Sequence, residues 1–415
     1  MTTAFDAIKI SDHVYWVGAI DNEIRDFHGY KTLRGTTYNA YLILGEKPIL
    51  IDTVKAPFFN EMMARIKSII NPKDIKYIIS NHAEMDHSGC LLRAINIIQP
   101  EKIFASKMGA QALKDHFHFD IEISEIKNGE FFELGDAKFK CLETRMLHWP
   151  DSMFTYFAND KLLFSQDGFG MHLATPKIFA DQNDREIMHY EAAKYFANIL
   201  MPYSTLVTKL LDAFPSFNLE VEFLCPDHGP IWRTQKDIGW IMDLWRKWAL
   251  QQPKAKVVIL YATMWQSTAT MAKVIAESVA KEGVAVKLMP LSVSHRSDVA
   301  VEILEAGALL IGSPTINQQM FPTVADVLCY LKGLKPQNLV GQAFGSYGWS
   351  GESVKLIQDE LKAMNIALTK EPIKAKYVPD DEILQQCKML GKKIAMELNL
   401  NPVVEKEKDN GKLCV

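Results

Sequence analysis

The sequence predicts an α/β protein of two domains, a layered α/β domain followed by a doubly wound parallel sheet. Three observations predict it. The chain has 415 residues, more than one ordinary hydrophobic core accommodates. From residue 37 to residue 230, apolar runs of strand length recur between polar turns. From residue 257 onward, apolar strands alternate with helical patterns, as in a parallel sheet covered by helices on both faces.

In the first domain, TYNAYLILGEKPILIDTV (37–54) reads as two strands joined at Gly45-Glu46. KYIIS, KIFAS, FKCLETRM, FTYFAND, KLLFSQD and VEFLCPD repeat the theme. Asp184 to Phe214 carries apolar residues at helical spacing with one break at Pro202, so helices cover the sheets. The Trp-rich helix GWIMDLWRKWAL closes the domain, and the polar segment 251–256 (QQPKAK) reads as a linker. The expected organisation is therefore a first domain over 1–250, a linker over 251–256 and a second domain over 257–400. The second domain has strands at VVILYA, VAVKLMPL, ALLIGS, LVGQAFGS and IALT, each followed by a helix, and a charged tail follows at 401–415.

Hydrophobic residues make up 48% and charged residues 23%, the balance of a globular protein. Lys and Arg total 46 against 50 Asp and Glu, so a net charge of −4 gives no electrostatic pull toward nucleic acid or an anionic membrane. No apolar run reaches the length of a membrane span and the N-terminus lacks the regions of a signal peptide, so a cytoplasmic location is expected. The six cysteines (Cys90, Cys141, Cys225, Cys329, Cys387, Cys414) form no CxxC pair, which excludes a zinc knuckle or a rubredoxin-type iron site. They read as reduced core thiols. Any electrons the chain uses must then arrive from another protein.

The densest chemistry lies in Ile79-Ser80-Asn81-His82-Ala83-Glu84-Met85-Asp86-His87-Ser88-Gly89, where a strand gives way to a helix. Two imidazoles and two carboxylates within six residues offer the mixed nitrogen and oxygen field that iron or zinc accepts. Further candidates fall just after later strands: His148, Asp167 and His228. One such residue alone is more often a polar loop residue or a satisfied core histidine. The recurrence at successive strand ends is what points to a site. His116 and His118 have no third ligand nearby and read as structural. His13, His172, His189 and His295 have no ligand-spaced partners, although His172 is close to Asp167 in sequence.

In the second domain, Thr263, Met264, Trp265, Gln266, Ser267 and Thr268 follow the first strand and open a helix, where hydroxyls and free N–H groups hold a phosphate without Lys or Arg. With no GxGxxG fingerprint, a mononucleotide fits better than a dinucleotide. Two later loops, Ser313-Pro314-Thr315-Ile316-Asn317 and Ser346-Tyr347-Gly348-Trp349-Ser350-Gly351, would flank the ring of such a mononucleotide at the carboxyl edge of the sheet, with Tyr347 and Trp349 able to stack on it. The lysine-bearing stretches 281–287 and 370–376 read as solvated faces.

On these residues the first half resembles the metallo-β-lactamase superfamily, whose HxHxDH loop, later His, bridging Asp and final His follow the same order. One position departs: Glu84 stands where the zinc pattern has a second His, and an added carboxylate favours iron. That departure resembles the flavodiiron proteins, or A-type flavoproteins, and the likeness extends to Arg25-Asp26-Phe27-His28-Gly29-Tyr30 and Gly35-Thr36-Thr37-Tyr38-Asn39-Ala40-Tyr41. The resemblance implies a metallo-β-lactamase-like αβ/βα sandwich fused to a flavodoxin-like, five-stranded doubly wound sheet. It implies one iron on His82, Glu84 and His148, another on Asp86, His87 and His228, and Asp167 as the bridge. In some family members the residue matching His87 turns away and water replaces it. His28 and Tyr195 match positions near the substrate pocket, where they would donate hydrogen bonds. FMN is implied on Thr263 to Thr268, Pro314 to Asn317, Ser346 to Trp349 and Gly351.

The implied activity is reduction of dioxygen to water or of nitric oxide to nitrous oxide, with dioxygen placed first. The expected donor is rubredoxin or a flavin reductase, with reduced deazaflavin an alternative. The implied assembly is a head-to-tail homodimer, or a dimer of dimers. Two rivals stand beside this reading: a metallo-β-lactamase-type hydrolase using a metal-bound hydroxide, and a non-catalytic electron carrier. Glu84 and the attached flavin domain argue against the first, and the complete ligand set against the second.

Overall fold

The computed structural model describes residues 5–118, 121–369 and 371–400. The expected charged tail 401–415 with Cys414, residues 119–120 beside His118, and residue 370 lie outside the described residues. The chain divides into two compact units. One holds the residues up to Tyr195 together with Thr205–Arg246, and the other holds Phe196–Ser204 and the chain from Lys247 on. The second unit therefore takes in 247–256, which the sequence assigns to the first domain and linker.

The first unit is built on two sheets. The larger has seven strands: Ile8–Lys9, Val14–Trp16, Tyr41–Ile43, Ile49–Ile51, Tyr77–Ser80, Lys102–Ala105 and Ile123–Glu125, hydrogen-bonded in that order. Pairing is antiparallel up to Ile49–Ile51 and parallel beyond it. The smaller has five: Phe131–Leu134, Ala137–Glu143, Met153–Phe157, Leu162–Gln166 and Phe223–Pro226, antiparallel except for the last pair.

The two-residue period of a strand explains the layering. Tyr41, Ile43, Ile49, Ile51 and Ile79 share one core with Phe139, Cys141, Phe157, Phe164 and Cys225 of the second sheet. The intervening Leu42, Leu50 and Ile78 face a different core, shared with Phe59, Met62, Leu91, Ala94 and Leu113 from the helices Phe59–Lys67, Leu91–Ile98 and Lys107–Phe117. Sheet packs on sheet inside, and helices cover the outside.

The helical stretch expected over Asp184 to Phe214 forms as Arg185–Tyr195 and Ser204–Ala213. The break near Pro202 is wider than one residue: a π-helical turn over Phe196–Leu200 and a 3-10 turn over Met201–Tyr203 fill it.

The second unit is a parallel sheet in the order Ala285–Pro290, Lys256–Tyr261, Ala308–Pro314, Val340–Tyr347, Ala367–Leu368, with Ile373–Lys376 also pairing with Val340–Tyr347. In strand sequence this is 2-1-3-4-5, the doubly wound arrangement. The fifth position is shared by two short pieces, of which IALT marks only the first.

Helices alternate with the strands because each presents one apolar face. On Ser267–Lys281, residues Ala269, Ala272, Ile275, Ala276 and Val279 are buried at helical spacing. Among the described cysteines, Cys90, Cys141, Cys225 and Cys387 are buried free thiols as expected, whereas Cys329 is exposed.

Candidate metal and flavin sites

Every predicted metal ligand lies just beyond the carboxyl end of a strand, and the loops are held there by buried polar contacts. After Tyr77–Ser80, Asn81 is clamped by Asp52, whose two carboxylate oxygens accept from the Asn81 backbone N–H and side-chain amide, each at 2.7 Å. The Thr155 hydroxyl donates to Asn81 Oδ1 at 2.5 Å. Thr53 holds the other end of the loop, its N–H and hydroxyl both donating to the His87 carbonyl. Gln166, buried and at φ 42°, donates from Nε2 to the Leu147 carbonyl at 2.5 Å and so ties the His148 loop to the Asp167 loop.

The seven predicted ligands converge in two clusters, His82 with Glu84, His148 and Asp167, and Asp86 with His87 and His228. In the first, Glu84 Oε2 lies 3.3 Å from His82 Nε2 and 3.2 Å from His148 Nε2. In the second, Asp86 lies 3.4 Å from His87 Nε2 and 3.2 Å from His228 Nε2. Asp167 reaches both. Its Oδ2 is 3.1 Å from His148 Nε2 and 3.3 Å from His82 Nε2, while its Oδ1 is 3.3 Å from His87 Nε2 and 3.5 Å from His228 Nε2. His87 presents Nε2 to the cluster, the orientation of a ligand.

The donor set fits metal ions on its own chemistry. Asp86 Oδ1 and Oδ2, His87 Nε2 and Asp167 Oδ2 are buried with no hydrogen-bond partner. Such groups are costly to bury unless something compensates them. The titration behaviour is consistent. Burial would lower the His87 imidazole, but the Asp86 and Asp167 carboxylates outweigh it and push it up to about 10. For His148, burial is outweighed by the Asp167 and Glu84 carboxylates that face its Nε2, and the ring is pushed up to about 9. Burial opposes ionisation of Asp167, yet the surrounding His87, His148 and His82 hold it well below the usual carboxylate range. The cluster thus pairs three carboxylates with positive charge that metal cations can supply.

Behind the predicted ligands stand residues to which the sequence analysis gave no role. Asp151 Oδ2 accepts from His82 Nδ1 at 3.0 Å and from the Ala83 N–H at 2.6 Å. The Thr37 carbonyl accepts from His228 Nδ1 at 2.6 Å. For His87, the nearest carboxylate on the Nδ1 side is Asp227 at 3.5 Å, beyond hydrogen-bond range. A carboxylate behind a ligating histidine is the usual arrangement, so an Asp close to His148 in sequence was the available signal.

His172 belongs beside the site. It is fully buried, its Nδ1 is 2.9 Å from Thr36 Oγ1, and its ring lies 4.7 Å from that of His228 and 5.1 Å from that of Tyr195. Of the two predicted pocket residues, Tyr195 is buried beside Asp167, whose charge adds to burial in pushing the phenol well above its ordinary value. His28 instead has a side chain 75% exposed, with Nε2 3.3 Å from Glu84 Oε1. His116 stacks on Trp149, which packs edge-on against His82, and His118 ends a helix in the left-handed region.

In the second unit the three predicted loops meet around an apolar cavity of about 310 Å³ lined by Met264, Trp265, Ser267, Pro314, Thr315, Ser346, Tyr347, Gly348 and Trp349, and additionally by Tyr377. Asn317 lines an adjoining cavity with Thr315, Gly348 and Trp349. Thr263, Gln266, Thr268, Ile316 and Gly351 are not among the residues that line these two cavities. Gln266 caps the helix in the left-handed region, and Thr268 Oγ1 is 2.9 Å from Ser346 Oγ, joining the first loop to the third. The buried Thr263 hydroxyl has no partner. An apolar slot with aromatic walls, opening at a helix start whose first N–H groups lack intrahelical partners, fits a planar ring carrying a phosphate.

Comparison with known proteins agrees with both halves. Residues 36–229 match the family model described as ODP family beta lactamase, and residues 259–391 match that of flavodoxin. The chain is 46% identical to a nitric oxide reductase of Moorella thermoacetica, over 94% of this chain and 98% of that protein. Among solved structures, rubredoxin oxygen:oxidoreductase from Desulfovibrio gigas is 44% identical with a TM-score of 0.93, covering 95% of this chain and 99% of that one. The flavodiiron protein from Giardia intestinalis is 30% identical with a TM-score of 0.88, covering 94% of this chain and 96% of that one. Joined to the convergence of ligands on Asp167, these end-to-end likenesses show that the chain belongs to the flavodiiron protein family.

Proposed function

We propose that this flavodiiron protein is a scavenging reductase that converts dioxygen to water, with nitric oxide as a second substrate reduced to nitrous oxide. It is an oxidoreductase whose cofactors are a pair of irons and an FMN. His82, Glu84 and His148 would hold one iron, Asp86, His87 and His228 the other, and Asp167 both. FMN would lie in the cavity walled by Trp265, Tyr347 and Trp349. The observation that carries the reading is the division of the Asp167 oxygens between the two clusters, which suits a pair of metals acting on one small molecule.

When bound, FMN stores two electrons and the two irons two more, the four that dioxygen needs to become water. The chain's own part is to position charge and protons. Glu84, Asp86 and Asp167 offset the positive charge of the centre. Burial, and then the Asp167 charge, push the Tyr195 phenol well above its ordinary value, so at neutral pH it stays protonated as a hydrogen-bond donor beside Asp167. Burial and the neighbouring His228 hold His172 well below its usual value, so it remains a neutral imidazole.

The names of the similar proteins support both gases, dioxygen for the Desulfovibrio enzyme and nitric oxide for the Moorella one. The Desulfovibrio name also supports rubredoxin as the donor we assign, ahead of a flavin reductase or reduced deazaflavin. Among the described residues no helix is long and apolar enough to cross a membrane. We assign a cytoplasmic location and a head-to-tail homodimer in which one subunit's flavin serves its partner's metals.

The test is anaerobic stopped-flow oxidation of the reduced protein by each gas in turn. Flavin oxidation by dioxygen much faster than that of free FMNH2 is expected, with nitric oxide slower. The reverse order makes nitric oxide the principal substrate. If neither gas oxidises the flavin faster than free FMNH2 reacts, the reductase reading fails, and hydrolysis by the metal-loaded protein becomes the reading to assay.

A further inference from the structure

The apolar cavity of the second unit has a wall that the three loops do not provide. Tyr377 follows the short edge strand Ile373–Lys376 and sits at φ 58°, a left-handed conformation that turns the chain out of the sheet. Its N–H donates to the Tyr347 carbonyl at 2.6 Å, which fastens it to the third loop. Its ring packs over Gly348: a Cβ added to that glycine would lie 3.2 Å from a Tyr377 ring carbon and 3.8 Å from its hydroxyl oxygen. The side chain is 62% exposed, as are its cavity neighbours Trp265 and Trp349 to a greater degree, at 89% each. Large apolar rings left this open around one cavity mark a surface that gains from being covered.

We propose that Tyr377 is a further flavin-positioning residue, the aromatic wall that confines the ring of FMN together with Trp349. The inference rests on the FMN reading given above. Gly348 is glycine, on this account, because its missing side chain leaves room for the Tyr377 ring to lie against the loop. The backbone hydrogen bond sets the position of Tyr377, and the ring supplies the contact, so the two roles separate by mutation of the side chain alone.

The experiment uses the full-length protein stripped of flavin, titrated with FMN and followed by flavin fluorescence, with thermal unfolding of each flavin-free variant measured in parallel. Tyr377→Ala is expected to bind FMN about fivefold to tenfold more weakly, the worth of one aromatic contact, with an unchanged melting temperature. Tyr377→Phe keeps the ring and is expected to bind like the parent. Gly348→Ala, whose Cβ would lie 3.2 Å from the Tyr377 ring, is expected to weaken FMN modestly in the parent and by a smaller factor in a Tyr377→Ala background, because the added methyl then no longer presses on a ring. The midpoint potential of the bound flavin should shift in Tyr377→Ala and stay in place in Tyr377→Phe. FMN affinity in Tyr377→Ala within twofold of the parent, together with an unshifted potential, would overturn the proposal. So would a loss of affinity that Phe fails to rescue, or one matched by a lower melting temperature. Failure of the parent itself to bind FMN is a different result, and it removes the FMN reading.

Discussion

Asp151 holds His82 from behind: its Oδ2 accepts the Nδ1 proton at 3.0 Å and leaves Nε2 turned to Glu84 and Asp167. The same oxygen accepts from the Ala83 N–H, so one carboxylate fixes both the ring and the loop that carries it. Removing it frees the imidazole to rotate and to change tautomer. Asp151→Ala is expected to lower iron affinity roughly 10- to 100-fold, as loss of such partners does elsewhere. Asp151→Asn, which still offers an acceptor, should lose less. Iron content after dialysis against a chelator of graded strength checks this. Parent-like retention by the Ala variant would mean that His82 is oriented by packing alone.

Protons and metal compete for the same imidazoles. His87 and His148 are pushed up to about 10 and about 9 by the carboxylates they face, against burial that would lower them. Both must lose a proton to ligate, so iron affinity is expected to keep rising from pH 7 toward pH 9–10 instead of levelling off near 6.5. The sign for stability is opposite in the metal-free protein. A folded-state value above the unfolded one contributes stability that is complete below about pH 6.5 and is lost as pH rises through about 9 and 10. Denaturant melts of chelator-treated protein should therefore weaken between pH 7 and 10, and iron-loaded protein should not follow. Equal slopes for the two preparations would contradict the competition.

What was legible in the sequence depended on how far each role reaches along the chain. His82, Glu84, Asp86 and His87 announce themselves by type and spacing within six residues, and Asp167 and His228 by their place at strand ends. Asp151 acts on a loop 68 residues away and Thr36 on His172 136 residues away, so neither pairing has a local signature. His172 lacks a ligand-spaced partner because it is not in either ligand cluster, and only its contacts with Thr36, Tyr195 and His228 reveal it. The strand Ile373–Lys376 was hidden for a different reason. Alternating buried Ile373 and Ala375 with exposed Lys374 and Lys376 describes a strand with one wet face, whereas the central strands of this sheet read as continuous apolar runs. That strand delivers Tyr377, so the flavin wall was missed with it.

Gly345 shows how tightly the flavin edge of the sheet is packed. A Cβ there would lie 2.0 Å from the Ser313 carbonyl on the neighbouring strand and 3.0 Å from Val354, and backbone cannot move aside as a side chain can. Gly345→Ala is expected to destabilise the flavin domain by roughly 3 kcal/mol, at the upper end of the overpacking range. It should weaken FMN binding as well, because Ser313 and Ser346 lead into two of the three loops. Urea unfolding monitored by flavin release tests it. A parent-like midpoint would show that the two strands part more easily than their hydrogen bonds suggest.

Asp167→Asn isolates the shared carboxylate. The substitution keeps shape and size but replaces one oxygen with an amide nitrogen, which donates two hydrogen bonds and has no lone pair to give a metal. Whichever way the amide turns, one cluster keeps an oxygen and the other meets the NH2 group, because Oδ1 and Oδ2 face different histidines. One negative charge is also lost from a buried site whose two clusters hold three carboxylates among the described residues. The expected result is a fall from two tightly held irons per chain toward one, with loss of gas reduction and retention of FMN, since the flavin cavity lies in the other unit. Metal analysis by emission spectrometry and flavin absorbance on the same sample measure both. If the variant retained two irons at parent affinity, Asp167 would serve a single metal, and the two clusters would act as separate sites.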